Sequence, residues 1–235
     1  MMNSFNMNTF NMNTFNMSVP NMVQINFLNG DSYYGQVWPV AVGSMPHGYG
    51  RMVNASTGLT YTGYWHQAVW NGYGELQYAN GDAYKGDFYQ GRKHGNGESY
   101  TAASQRRYKG QFVNEVEQGF GEIIAPNVNG GQGQRTYRGY LHNGLRQGQG
   151  SLWLLDPYGQ PTKFEGQWVN GVLNGYGKME TKFQHLSGNF VNGHLEGTGM
   201  EKDLTTGKTY NVLLQSGRIV QRTSVYVGSL TQFVL

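Results

Sequence analysis

The stretch Phe164-Glu165-Gly166-Gln167-Trp168-Val169-Asn170-Gly171-Val172-Leu173-Asn174-Gly175-Tyr176-Gly177 decides how this chain folds. Phe164, Gly166 and Trp168 stand at i, i+2 and i+4, so on an extended strand they share one face. Glu165 and Gln167 lie between them and face water. Asn170-Gly171 is the strongest short hairpin signal, because both central residues of a type I′ turn need positive φ. Gly175 and Gly177 then open a return strand. A glycine between two rings leaves a gap in which a neighbouring ring can lie over the backbone.

The same unit recurs along the chain. Its leading triplets are Tyr33-Tyr34-Gly35, Tyr61-Thr62-Gly63, Tyr84-Lys85-Gly86, Tyr108-Lys109-Gly110, Tyr137-Arg138-Gly139, Phe164-Glu165-Gly166 and Leu186-Ser187-Gly188. Each is followed by a Gly-x-Gly, and in six of the seven units its first glycine lies nine residues after the leading one. The first unit carries a four-residue insertion around Val40-Ala41-Val42-Gly43. Asn-Gly turns recur at Asn143-Gly144 and Asn192-Gly193. One hairpin is marginal in water, so the units must stabilise one another edge to edge.

This pattern resembles the MORN repeat, roughly YxGxWxxGxxxGxG followed by a variable strand, over about residues 24–217. The resemblance and the spacing together predict an all-β fold. It is a single-layer, elongated, twisted sheet of consecutive antiparallel hairpins, with about seven full repeats and a half-repeat at each end. The N-terminal half-repeat is Gln24–Asp31, which mirrors Gln77–Asp82, and the C-terminal one is Tyr210–Gly217. Three regions are expected: a low-complexity tail over 1–20, the array over 21–217, and an apolar cap or docking segment over 218–235. The tail repeats Phe-Asn-Met-Asn-Thr and reads as Asn-rich and disordered, or as a segment that orders on a partner. The cap reads as cover for the sheet edge, or as a contact for a partner or a second copy.

Composition agrees with a ring-packed repeat. Gly is 36 of 235 residues, about twice the usual share of roughly 7%, while Pro is only 6. Aromatic residues are 14% and charged residues 13%, at a net charge of +3. So weak a balance does not predict nucleic-acid binding, which needs a concentrated basic face. There is no cysteine, which excludes thiol nucleophiles, disulfides and Cys-ligated metal. No apolar run approaches the ~18 residues of a membrane span. No Lys or Arg precedes Arg51, so neither a secretory nor a mitochondrial leader is read. A cytoplasmic location is expected, with attachment to cytoskeleton or membrane left open.

No catalytic residue is expected. Gly-x-Gly here opens a strand rather than a helix, so it is not a phosphate or dinucleotide loop, and no nucleophile elbow or recurring carboxylate pair is present. The six histidines read as surface residues. His47 and His94 belong to units about 19 Å apart by strand spacing, beyond sharing a metal. No metal or cofactor is expected.

Two surfaces are candidates for partners. Tyr61, Trp65, Tyr84, Phe88, Tyr108, Phe112, Tyr137, Phe164, Trp168 and Phe190 form a ladder on one face, either wholly structural or leaving an aromatic groove for a peptide. Arg92, Lys93, Arg106, Arg107, Lys109, Arg135, Arg138 and Arg146 cluster in units three to five, either as a stripe for anionic phospholipid or, with Glu115, Glu117 and Glu122 among them, as a solvated face of mixed charge.

The expected function is a non-enzymatic scaffold or protein-interaction module, its partners being other proteins or a second copy of itself. The resemblance also implies two alternatives: a peripheral protein binding anionic lipid, and an accessory repeat subunit of a separate enzyme.

Overall fold

A computed structural model describes residues 22–41, 43–126, 133–155 and 158–225. The expected tail, parts of the two long connections and the last ten residues of the apolar segment lie outside the described residues.

The described residues form seventeen strands in one open antiparallel sheet, each hydrogen-bonded to its sequence neighbours. In chain order they are β1 Met22–Asn26, β2 Ser32–Pro39, β3 Ser44–Val53, β4 Thr60–His66, β5 Val69–Gln77, β6 Ala83–Tyr89, β7 Arg92–Thr101, β8 Arg106–Val113 and β9 Val116–Pro126. They continue as β10 Gln134–His142, β11 Leu145–Leu155, β12 Pro161–Val169, β13 Val172–Glu180, β14 Gln184–Val191, β15 His194–Asp203, β16 Thr209–Gln215 and β17 Arg218–Ser224.

The seven expected hairpins are β2–β3 through β14–β15, and β1 is the N-terminal half-unit. The C-terminal half-unit is completed into an eighth hairpin: Arg218–Ser224 pairs with β16 from Tyr210↔Ser224 to Gln215↔Arg218. The first seven residues of the expected cap are therefore the edge strand of the sheet. Sequence reading missed this strand because Arg218–Ser224 carries no Gly-x-Gly.

Seven of the eight hairpin turns have two consecutive residues in the left-handed region. Three are the sequence-visible Asn143-Gly144, Asn170-Gly171 and Asn192-Gly193; Gln90-Gly91, Ser216-Gly217, Gln67-Ala68 and Asn114-Glu115 join them. The second turn residue then donates its N–H to the preceding unit. Ala68 donates to the Pro46 carbonyl at 2.8 Å, Gly91 to Trp70 at 2.9 Å and Gly171 to Arg146 at 2.9 Å. Units are thus joined at their turns as well as along their strands.

The core lies on one face only. Each tyrosine of the leading triplet folds over its own glycine and over the glycine opposite. A Cβ placed on Gly74 would stand 2.5 Å from the Tyr61 hydroxyl, and one on Gly63 would stand 2.5 Å from the Gly74 Cα. In these tyrosine units the gap expected for a neighbouring ring is filled by the ring of the same strand, whereas a Cβ on Gly177 would meet the Phe190 ring of the next unit at 3.1 Å. A bulge between Gly63 and Trp65 breaks the ladder there. It frees the Tyr64 carbonyl to accept the Tyr61 hydroxyl at 2.9 Å. The pattern repeats from Tyr84 to Asp87, Tyr108 to Gln111 and Tyr137 to Tyr140, each at 2.9 Å.

Neighbouring units lock ring to ring. Tyr61 meets Phe88 edge-on at 5.2 Å, Tyr84 meets Phe112 at 5.0 Å and Tyr137 meets Trp168 at 5.3 Å. At the C-terminal end Val212 replaces the leading glycine and is itself buried against this core.

Candidate functional site

Nine of the ten ladder rings are buried: Tyr61, Trp65, Tyr84, Phe88, Tyr108, Phe112, Tyr137, Trp168 and Phe190. Phe164 alone is half-buried. It has no hydroxyl to anchor on the bulge carbonyl, and its ring does not cover Gly166. The open aromatic groove expected on this ladder is therefore absent at those nine rings: they pack on glycine backbone and on each other. Burial pushes the phenols of Tyr108 and Tyr137 up to about 12. Tyr61 and Tyr84 are raised further for the same reason.

Exposed aromatic residues of the strands, among them Tyr49, Tyr64, Tyr73, Phe120, Tyr140 and Tyr176, lie on the opposite, outer face. The residue after each leading glycine faces the middle residue of the preceding Gly-x-Gly. The pairs are Tyr49↔Tyr64, Tyr73↔Asp87, Asn96↔Gln111, Phe120↔Tyr140, Gln149↔Gln167 and Tyr176↔Asn189. Tyr49 and Tyr64 meet edge-on at 5.5 Å, and Phe120 and Tyr140 at 5.6 Å. Tyr64, Phe120 and Tyr140 are each more than half exposed, and Tyr176 is 66% exposed. Rings at this level of exposure, paired across strands and interleaved with amides, make a continuous row for contact with another surface.

Beside that row runs a ladder of alternating charge. Glu75 faces Lys85, Lys85 faces Glu98, Glu98 faces Lys109, Lys109 faces Glu122, and Glu122 faces Arg138. Lys85 reaches Glu75 at 2.9 Å and Arg138 reaches Glu122 at 2.6 Å.

This arrangement agrees with the mixed-charge face rather than with a basic stripe. Strand alternation and register divide its eight residues between the faces: Arg92, Arg107, Lys109 and Arg138 outward, Lys93, Arg106, Arg135 and Arg146 toward the rings. On the outer side the glutamate ladder offsets Lys109 and Arg138. On the ring side Arg106 pairs with Glu117 at 2.5 Å and Lys93 with Glu115 at 3.5 Å.

Polar residues before the Gly-x-Gly have a role that sequence reading missed. Gln118 accepts the Asn143 N–H at 2.9 Å, Gln147 accepts Asn170 at 3.0 Å and Glu196 accepts Ser216 at 2.7 Å. Each clips the turn of the next unit. The register that aligns them becomes visible only once the sheet is built. His47 and His94 occupy this position and are half-buried rather than on the open surface. His47 also lies 5.3 Å from His66, ring to ring, across the unit boundary. Among the described residues no group of three or more His, Asp or Glu is placed to hold a metal, and no helix is long and apolar enough to cross a membrane.

Fold and surfaces together define a repeat protein: hairpin units side by side in one open sheet, with a ring-packed core on one face. The model of the MORN repeat matches residues 61–83, 84–102, 137–154 and 164–181. The chain belongs to the MORN-repeat proteins, and the hairpins between and beyond those segments are further units of the same sheet. No curated protein matches it. Among solved structures, the wild-type TCP10 domain of CPAP from Danio rerio aligns over 87% of this chain and 90% of its own length. The identity is 12% and the TM-score 0.28, a likeness too slight to carry an argument.

Proposed function

We propose that this chain is a non-enzymatic scaffold that holds other proteins against its repeat sheet. MORN repeats are in general protein- or membrane-interaction modules. One observation carries the protein reading here: the outer-face row built on Tyr49, Tyr64, Tyr73, Phe120, Tyr140 and Tyr176 exposes rings that the fold does not use as core. Large rigid rings give contact area at little cost in side-chain entropy, which is why they are enriched at protein interfaces. The partner is a protein, a second copy of the chain included, rather than nucleic acid. A cytoplasmic place beside a cytoskeletal or membrane-attached assembly suits such a scaffold.

The division of basic residues between two faces argues against a lipid-binding plane, because a membrane surface collects charge from one side of a sheet. The test is affinity capture from the source cells with the wild type and with a chain carrying Tyr64→Ser, Tyr140→Ser and Tyr176→Ser. The outer-face variant should fold as the wild type does and lose its bound proteins. Retention of the same proteins at the same yield would remove the outer row from the account.

A further inference from the structure

Arg146, the second residue of β11, lies on the ring face at a position that recurs two residues before each Gly-x-Gly. Its counterparts fall into two kinds. Trp70, Leu173 and Leu195 are apolar and pack into the core or against it. Lys93 and Glu117 are charged, and each has a counter-ion within the chain. Arg146 is charged and has none: among the described residues its guanidinium takes part in no ion pair and no side-chain hydrogen bond.

Instead it lies over the Trp168 ring at 4.7 Å and the Tyr137 ring at 5.5 Å. Burial and the charge of Arg135 make its protonated state less favourable than usual. Arg135 stands on the same face of the adjoining β10, beyond Tyr137, and is likewise without an ion pair among the described residues. A half-buried guanidinium with five donors and no acceptor is costly unless an acceptor arrives.

We propose that Arg146 is an anchor for a carboxylate side chain of a partner protein. The aromatic platform fixes the guanidinium plane, so its edge is preset for the bidentate geometry of a carboxylate. Charge complementarity selects an acidic segment. A single carboxylate can reach a side chain set among rings, whereas a lipid surface would need a basic plane that this face lacks. This contact goes beyond the outer row and lies on the opposite side of the sheet.

The substitution Arg146→Leu provides the test, because Leu173 and Leu195 already occupy the same position in the next two units. Leucine should raise the melting temperature and remove the site. The probe is an acetylated peptide alternating Phe and Glu, titrated calorimetrically into the full-length chain, against the same peptide with Gln for Glu. The wild type should bind the Glu peptide alone, Arg146→Leu should weaken binding about tenfold or more, and Arg138→Gln should leave it unchanged. The outer-face triple variant should also bind normally, which separates this site from the outer row. Four results would overturn the proposal: no binding of the Glu peptide by the wild type, equal losses in the Arg146 and Arg138 variants, a lower melting temperature for Arg146→Leu, or displacement of the peptide by phosphatidylserine vesicles through Arg146.

Discussion

The hydroxyl of Tyr61 donates to the carbonyl oxygen of Tyr64, three residues on, at 2.9 Å. A bulge frees the carbonyl, the glycine between them lets the ring lie flat, and the ring then covers a second glycine across the hairpin. Repeated from unit to unit, this contact gives a one-sided sheet a closed core.

Removing that hydroxyl tests the contact directly. Tyr61→Phe keeps the ring and leaves the Tyr64 carbonyl without its donor, so it should destabilise the chain by about 1–2 kcal/mol in denaturant unfolding. Phe164, which lacks the hydroxyl naturally, marks the unit where the ring already sits less deeply.

Gly74→Ala should be far worse. Its Cβ would stand 2.5 Å from the Tyr61 hydroxyl oxygen and 2.6 Å from a ring carbon, and the buried ring has nowhere to move. A loss of about 3 kcal/mol or more is expected. Gly207→Ala meets nothing within 4 Å and has only the left-handed backbone, at φ 70°, to strain it. It should cost about 1–2 kcal/mol in the same measurement.

The fold was legible because its requirements repeat. Glycines nine residues apart, rings at i and i+4, and Asn-Gly turns are all local, and each states its own geometry. The surfaces were not legible for the opposite reason. The rings that recur, such as Tyr84 and Phe112, are those the core needs, so repetition drew attention to buried positions. The outer position after the leading glycine is Tyr64 in one unit, Asp87 in the next and Gln111 in the next, and no pattern marks it. The pairing of Glu122 with Arg138 and the isolation of Arg146 depend on cross-unit register. That register follows from bulges and turn clips rather than from spacing in the chain.

Ala68 holds a backbone that usually belongs to glycine, at φ 61°, in a turn where other units place Gly91 or Gly144. Ala68→Gly should therefore stabilise the chain, by about 0.5–1 kcal/mol once the greater freedom of glycine in the unfolded chain is subtracted. Glu115 sits at the same turn position, at φ 77°, but its carboxylate accepts the Lys93 N–H at 2.6 Å. Glu115→Gly should gain nothing. Thermal unfolding of the two variants side by side distinguishes strain from compensation.

Alkali should unfold the protein through its tyrosines. The unfolded phenols titrate near pH 10, while burial holds Tyr33, Tyr108 and Tyr137 at about 12 and raises Tyr61 and Tyr84 further. The folded state keeps protons that the unfolded state releases. This contribution is thus complete below about pH 10 and falls as pH rises toward 12, by up to about 1.4 kcal/mol per pH unit for each tyrosine. Urea unfolding between about pH 8 and about pH 10.5 should show the decline, and Tyr108→Phe should flatten its slope.

The central claim is a division of labour: rings on one face hold the fold, and rings on the other meet the partner. Photo-crosslinking tests it most directly, with benzoyl-phenylalanine placed at Tyr64 on the outer face or at Tyr78, a half-buried ring packed against the core. The account predicts a covalent adduct with a bound protein from position 64 and none from position 78. Adducts from position 78 with none from position 64 would contradict it, because the partner would then bypass the outer row.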